Sequence, residues 1–113
     1  GAGSTGWLTS VYREVSGILS FLGGDAARIA SPQFDQEAQR LMFIVREPFP
    51  ARHTGTAIVA GQLSPSQKLT VESQMAQGGV IFSDGVESDR LDFASGAVAT
   101  IGIAQERAHL ACR

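Results

Sequence analysis

Apolar residues recur with a helical period at the start of the chain, and further on they change to short runs and alternation. Trp7, Leu8, Val11, Val15, Ile18 and Leu22 share one face, so the pattern predicts a helix over residues 8–22. Ser4 or Thr5 is placed to cap its start and Gly23-Gly24 to stop it. Gly17 weakens the second half, where fraying or a turn is expected. From Asp25 to Gln39 no period holds, and Ser31-Pro32 marks a loop.

The remainder reads as strand. Leu41 to Val45 is a compact apolar run, closed by Glu47-Pro48-Phe49-Pro50, where proline cannot donate to a ladder. Thr56 to Ala60 is a second candidate, and Lys68 to Ser73 alternates polar with apolar, as a strand with one wet face does. Val80 to Ser83 and Val86 to Ser88 flank Asp84-Gly85, a pair that favours a type I′ hairpin because both residues tolerate positive φ. Ala97 to Ala104 and Ala108 to Cys112 complete the series. About six or seven strands at roughly 8–12-residue spacing predict a mainly β, β-sandwich-like domain with one amino-terminal helix.

Composition narrows the setting. At 113 residues, 43% hydrophobic and 18% charged, the chain fits one soluble domain: motif and helix over 1–22, loop over 23–39, β region over 40–113. A net charge of −2 argues against a broad nucleic-acid-binding face. No apolar run approaches the roughly 20 residues of a membrane span, and no membrane partner is expected. Cys112 is the single cysteine and no Cys/His cluster exists, so neither an internal disulfide nor a metal centre is indicated; a cytoplasmic setting fits.

Candidate chemistry begins with Gly3-Ser4-Thr5-Gly6-Trp7. Glycines let a backbone approach a ligand, a hydroxyl caps a helix, and free N–H groups at a helix start suit an anion. A loose terminus would use the same residues. A motif of this kind normally follows a positioning strand, so the chain reads as the carboxyl-terminal piece of something larger. Arg52 and His53 are the most plausible phosphate partners, a guanidinium offering fixed, charge-assisted donors; a surface arginine beside a turn is the alternative. His109, in a strand-like run, suits a core or edge position better than catalysis. Asp84, Glu87, Asp89 and Asp92 form a loose acidic group, more consistent with a solvated hairpin than with carboxylates converging on a metal.

The opening resembles the Gly-Ser-Thr-Ala-Tyr motif of the NAD kinase family, with Gly6 in place of Ala and Trp7 in place of Tyr. Phe49 to Thr54 lies where that family has a segment ending in Ser-Arg-Pro, just before the strand resembling Thr56 to Ala60. Ile81-Phe82-Ser83-Asp84-Gly85 resembles its late strand ending in Asp-Gly. Leu91 to Gly96, followed by Val98 to Ile103, is similar to its closing strand pair. Order and spacing agree over essentially the whole chain. Gly23-Gly24-Asp25 is not the family's Gly-Gly-Asp-Gly catalytic motif, since Ala26 replaces the last glycine and a helix precedes it; it reads as a helix stop.

The resemblance implies the substrate-binding and assembly domain of an ATP-dependent phosphotransferase acting on NAD or a related nucleotide or sugar. The parent would join an α/β amino-terminal domain to this β domain. ATP and Mg²⁺ are implied for the parent, with none bound by this chain alone and the catalytic residues in the amino-terminal domain. Gly3, Ser4, Thr5, Gly6 and Trp7 would line the substrate pocket, with Arg52 and Asp84 as further contacts; turn chemistry alone also explains Asp84. An indole only donates where a phenol also accepts, so the identity of the nucleotide stays open. With one lysine, Lys68, and no Walker-type loop, the chain alone is expected to be inactive. The alternative is a non-catalytic all-β interaction module, and homo-oligomers are expected in either case because a β domain parted from its partner exposes edges. Diacylglycerol and sphingosine kinases have a distantly related architecture, but nothing indicates a lipid pocket.

Overall fold

The amino-terminal helix, α1, runs Trp7–Phe21 in the computed structural model, which describes residues 6–29, 38–52, 55–83 and 87–106. It continues through Gly17 without a break. Its N-cap is Gly6, which makes no side-chain cap bond, rather than Ser4 or Thr5, which lie outside the described residues. The Ser10 hydroxyl instead donates to the Trp7 carbonyl at 2.7 Å, inside the first turn. The carboxyl end closes as the glycine pair predicts. Gly23 takes φ 76°, its N–H reaches the Ser20 carbonyl at 3.0 Å, and the Gly24 N–H reaches Leu19 at 2.8 Å. Those two bonds define a Schellman end. A Cβ on Gly24 would strike the Leu19 side chain, so the second glycine admits the contact that fastens this end.

Asp25 starts a 3-10 turn, Ala26–Arg28, in the stretch expected to be loop; its carboxylate accepts from the Ala27 N–H at 3.1 Å. The chain divides into two compact units, Gly1–Ala38 and Gln39–Arg113, and each is described by itself.

Among the described residues the second unit has six short strands: β1 Leu41–Ile44, β2 Ala60–Leu63, β3 Leu69–Glu72, β4 Val80–Ile81, β5 Leu91–Asp92 and β6 Val98–Ile101. With one α-helix and six antiparallel strands among its described residues, the chain is mainly β. The strands pair as β1–β2, β3–β6 and β4–β5, three two-stranded ladders that do not close into a barrel or sandwich among the described residues.

Two pairings differ from the local pattern. The second strand starts at Ala60, where the run Thr56 to Ala60 was expected to end, because the register sets Leu63 opposite Leu41 and Gly61 opposite Phe43. Leu63 is buried, and Phe43 lays its ring over Gly61, where a Cβ would come within 2.5 Å of ring carbons. Val80–Ile81 pairs not with Val86 to Ser88 but with Leu91–Asp92, in the register Val80↔Asp92 and Ile81↔Leu91. Glu87–Asp89 is a 3-10 turn, so the expected two-residue hairpin through Asp84-Gly85 is replaced by a longer connection. The run Ala108 to Cys112 lies outside the described residues.

Ser73 ties two ladders together. Beyond β3 its N–H donates to Ala97 at 2.8 Å and its carbonyl accepts from Gly96 at 2.9 Å, extending the β3–β6 ladder. Its hydroxyl donates to the Phe93 carbonyl at 2.6 Å, and the Phe93 N–H donates to Gly79 at 2.7 Å, extending the β4–β5 ladder. Ser73 and Gly79 are both buried. A Cβ on Gly79 would fall on the Phe93 carbonyl, so a glycine there is what lets the two backbones approach.

The apolar core is thin. Leu8 and Leu63 are the buried hydrophobic side chains among the described residues, whereas Trp7, Val15, Ile18, Phe21 and Leu22 of the helical segment are exposed. No helix among the described residues is long and apolar enough to cross a membrane.

Candidate functional site

The residues singled out in the sequence stand on different elements. Trp7 opens α1 with its side chain half exposed, next to the capping Gly6. An exposed indole at a helix start offers a flat apolar face and one N–H donor. Arg52 is exposed in the β1–β2 connection, beyond Pro50. Gly3, Ser4, Thr5, Asp84, His53 and His109 lie outside the described residues.

The same connection holds an unusual backbone position. Glu47 adopts φ 49°, a left-handed conformation that few residues other than glycine take, and Pro48 follows it. Its carboxylate lies 3.8 Å from the Arg46 guanidinium, and both side chains are exposed. An ion pair so placed contributes little to stability.

A second location was not anticipated. A cavity of about 510 Å³ opens on the β4–β5 ladder, lined by Gly78, Gly79, Val80, Phe82, Arg90 and Asp92, with Ala94. Side chains alternate across a strand, so Val80 and Phe82 share one face of β4 and its continuation. Arg90, Asp92 and Ala94 share the matching face of the opposite strand. The register sets Val80 against Asp92 and Ile81 against Leu91; Phe82 follows β4, Arg90 precedes β5, and both line the cavity. Directly opposed residues have Cβ atoms roughly 4.5–5.5 Å apart. The cavity lining therefore brings together an aromatic ring, a guanidinium and a carboxylate.

Phe82, Arg90 and Asp92 are all exposed, and no ion pair joins Arg90 or Asp92 to another described residue. In the sequence Asp92 belongs to the loose acidic group, and nothing local singles out Arg90. The signal that would have found them is the long connection: once Leu91–Asp92 is paired with Val80–Ile81, the alternation places all three residues together.

Among the described residues no three His, Cys, Asp or Glu side chains are grouped to hold a metal ion. No protein-family model, no curated protein and no solved structure matches this chain.

Proposed function

We propose that this chain is the substrate-binding and assembly domain of a NAD-kinase-like phosphotransferase, acting on NAD or a related nucleotide or sugar in a reducing, cytoplasmic setting. The order of the motifs supports the nucleotide part: Gly3 to Trp7, then Arg52, then Asp84. The parent's catalytic groups, ATP and Mg²⁺ belong to its amino-terminal domain in this reading. Phosphoryl transfer depends on positioning and charge stabilisation, and a chain with a single lysine holds a substrate without completing the reaction.

The observation that carries the assembly part is the exposure of apolar side chains. Phe21 is 89% exposed, Phe49 83% and Leu22 72%, against two buried hydrophobic residues among those described. Exposed apolar surface on this scale supports a chain that completes its core against another domain or another copy of itself.

Titration of the folded chain with NAD, NADP and ATP, followed by Trp7 fluorescence, tests the nucleotide part. A saturable change with one of the three supports a ligand role for the opening motif, and unchanged fluorescence with all three overturns it. NADP formation by the chain alone would overturn the division of labour. The second reading, a non-catalytic oligomerisation module, is favoured by the exposed apolar side chains of the helical segment, Trp7, Val15, Ile18, Phe21 and Leu22. It requires concentration-dependent self-association without nucleotide binding.

A further inference from the structure

We infer that the β4–β5 face built from Phe82, Arg90 and Asp92 is a binding site for a nucleoside monophosphate. The choice of a nucleotide over another aromatic anion rests on the phosphotransferase reading. The location rests on the cavity lining, which brings Phe82, Arg90 and Asp92 together. Val80↔Asp92 and Ile81↔Leu91 fix the ladder, and alternation then brings Phe82, Arg90 and Asp92 to one side of it. They line an open cavity of about 510 Å³.

Each side chain has chemistry that matches one part of such a ligand. The exposed Phe82 ring presents a face on which a base stacks, an interaction that tolerates any base. Arg90, in the same lining, presents a planar fork of donors that fits phosphate oxygens in pairs. Asp92 lies two residues from Arg90, at a strand rise of roughly 3.3 Å per residue. Its carboxylate accepts from a ribose hydroxyl or an exocyclic amine. Gly78, two residues before Val80, contributes no side chain to this lining.

Charge selects among nucleotides. Among the described lining residues Arg90 is the cation that meets a phosphate, and Asp92 is the carboxylate that keeps a hydrogen-bonding role beside it. A triphosphate brings further negative charge toward Asp92, with no second cation among the described lining residues. The face therefore fits AMP better than ATP.

The test uses the whole 113-residue chain, isotope-labelled, with AMP, ATP and phenyl phosphate as probes and backbone amide shifts as the readout. AMP is expected to move the amides of Gly79, Phe82, Arg90 and Asp92 saturably and to bind at least about tenfold more tightly than ATP. Arg90→Gln is expected to weaken AMP at least about tenfold and Phe82→Leu at least about fivefold, whereas Arg46→Gln leaves it unchanged. All three sites are exposed, and retention of the amide spectrum shows that each variant is folded. Absence of AMP-induced shifts at these amides, or equal affinity in Arg90→Gln, overturns the site. Phenyl phosphate binding as tightly as AMP overturns the nucleotide assignment. AMP shifts on this face with silent Trp7 fluorescence would retain the site and defeat the opening motif, so the two readings fail separately.

Discussion

The Ser73 hydroxyl donates to the Phe93 carbonyl at 2.6 Å, across 20 residues of chain, and through that bond the β3–β6 ladder holds the β4–β5 ladder. Ser73 is only 5% exposed, so water does not replace the bond if it is lost. Ser73→Ala leaves the Phe93 carbonyl short of a donor and the Met75 N–H without its 3.3 Å acceptor. The expected cost is about 1–3 kcal/mol, read as a lower midpoint in urea unfolding followed by far-ultraviolet circular dichroism.

Gly79→Ala acts on the same joint from the other side. Its methyl would press on the Phe93 carbonyl, which is backbone and cannot swing aside. A loss of about 1–3 kcal/mol is expected. Because both substitutions act on Phe93, the double variant should lose less than the sum of the two by about 0.5 kcal/mol or more. Strict additivity in the cycle would show that the ladders are not coupled there.

Gly17→Ala should have the opposite sign. Gly17 lies inside α1 in an ordinary helical conformation, and a Cβ there meets nothing within 4 Å. Replacing glycine by alanine in a helix interior is worth about 1 kcal/mol. Greater ellipticity at 222 nm and a later thermal transition are the expected result; an unchanged melt would mean that α1 gains nothing from propensity.

Glu47→Gly relieves a backbone cost instead of removing a contact. At φ 49° a side chain costs about 1–2 kcal/mol, and the exposed pair with Arg46 offsets little of it. The glycine variant is expected to be more stable by about 1 kcal/mol, less whatever entropy glycine adds to the unfolded chain. Glu47→Gln keeps the side chain and discards the charge. It should match the parent chain, and a gain equal to that of Glu47→Gly would shift the cause from φ to charge.

Local pattern made the helix, β1, β3 and β6 legible, because periodicity and punctuation reside in neighbouring residues. Gly23-Gly24 ends α1 through the backbone property that only glycine supplies at that φ. Pairing was a different matter. Gly61 has poor strand propensity and still lies in β2, since its missing Cβ admits the Phe43 ring from the opposite strand. Asp84-Gly85 carries the strongest hairpin signal, yet Val80–Ile81 reaches past it to Leu91–Asp92, with Phe93 bonded both to Gly79 and to Ser73. A contact with Ser73 has no trace in the residues around the turn. The Phe82, Arg90 and Asp92 grouping went unseen for the same reason, since it exists only in the realised register.

The Schellman closure at Gly23 and Gly24 also makes α1 a ruler. Fifteen residues at roughly 1.5 Å each give a rod of about 22 Å, stopped at a fixed point by a conformation that side chains resist. Trp7 and Leu22 mark the two ends of its apolar stripe. Any surface that covers that stripe from end to end is held to the same length, so the glycine pair sets the span of a complementary surface that neither glycine need touch.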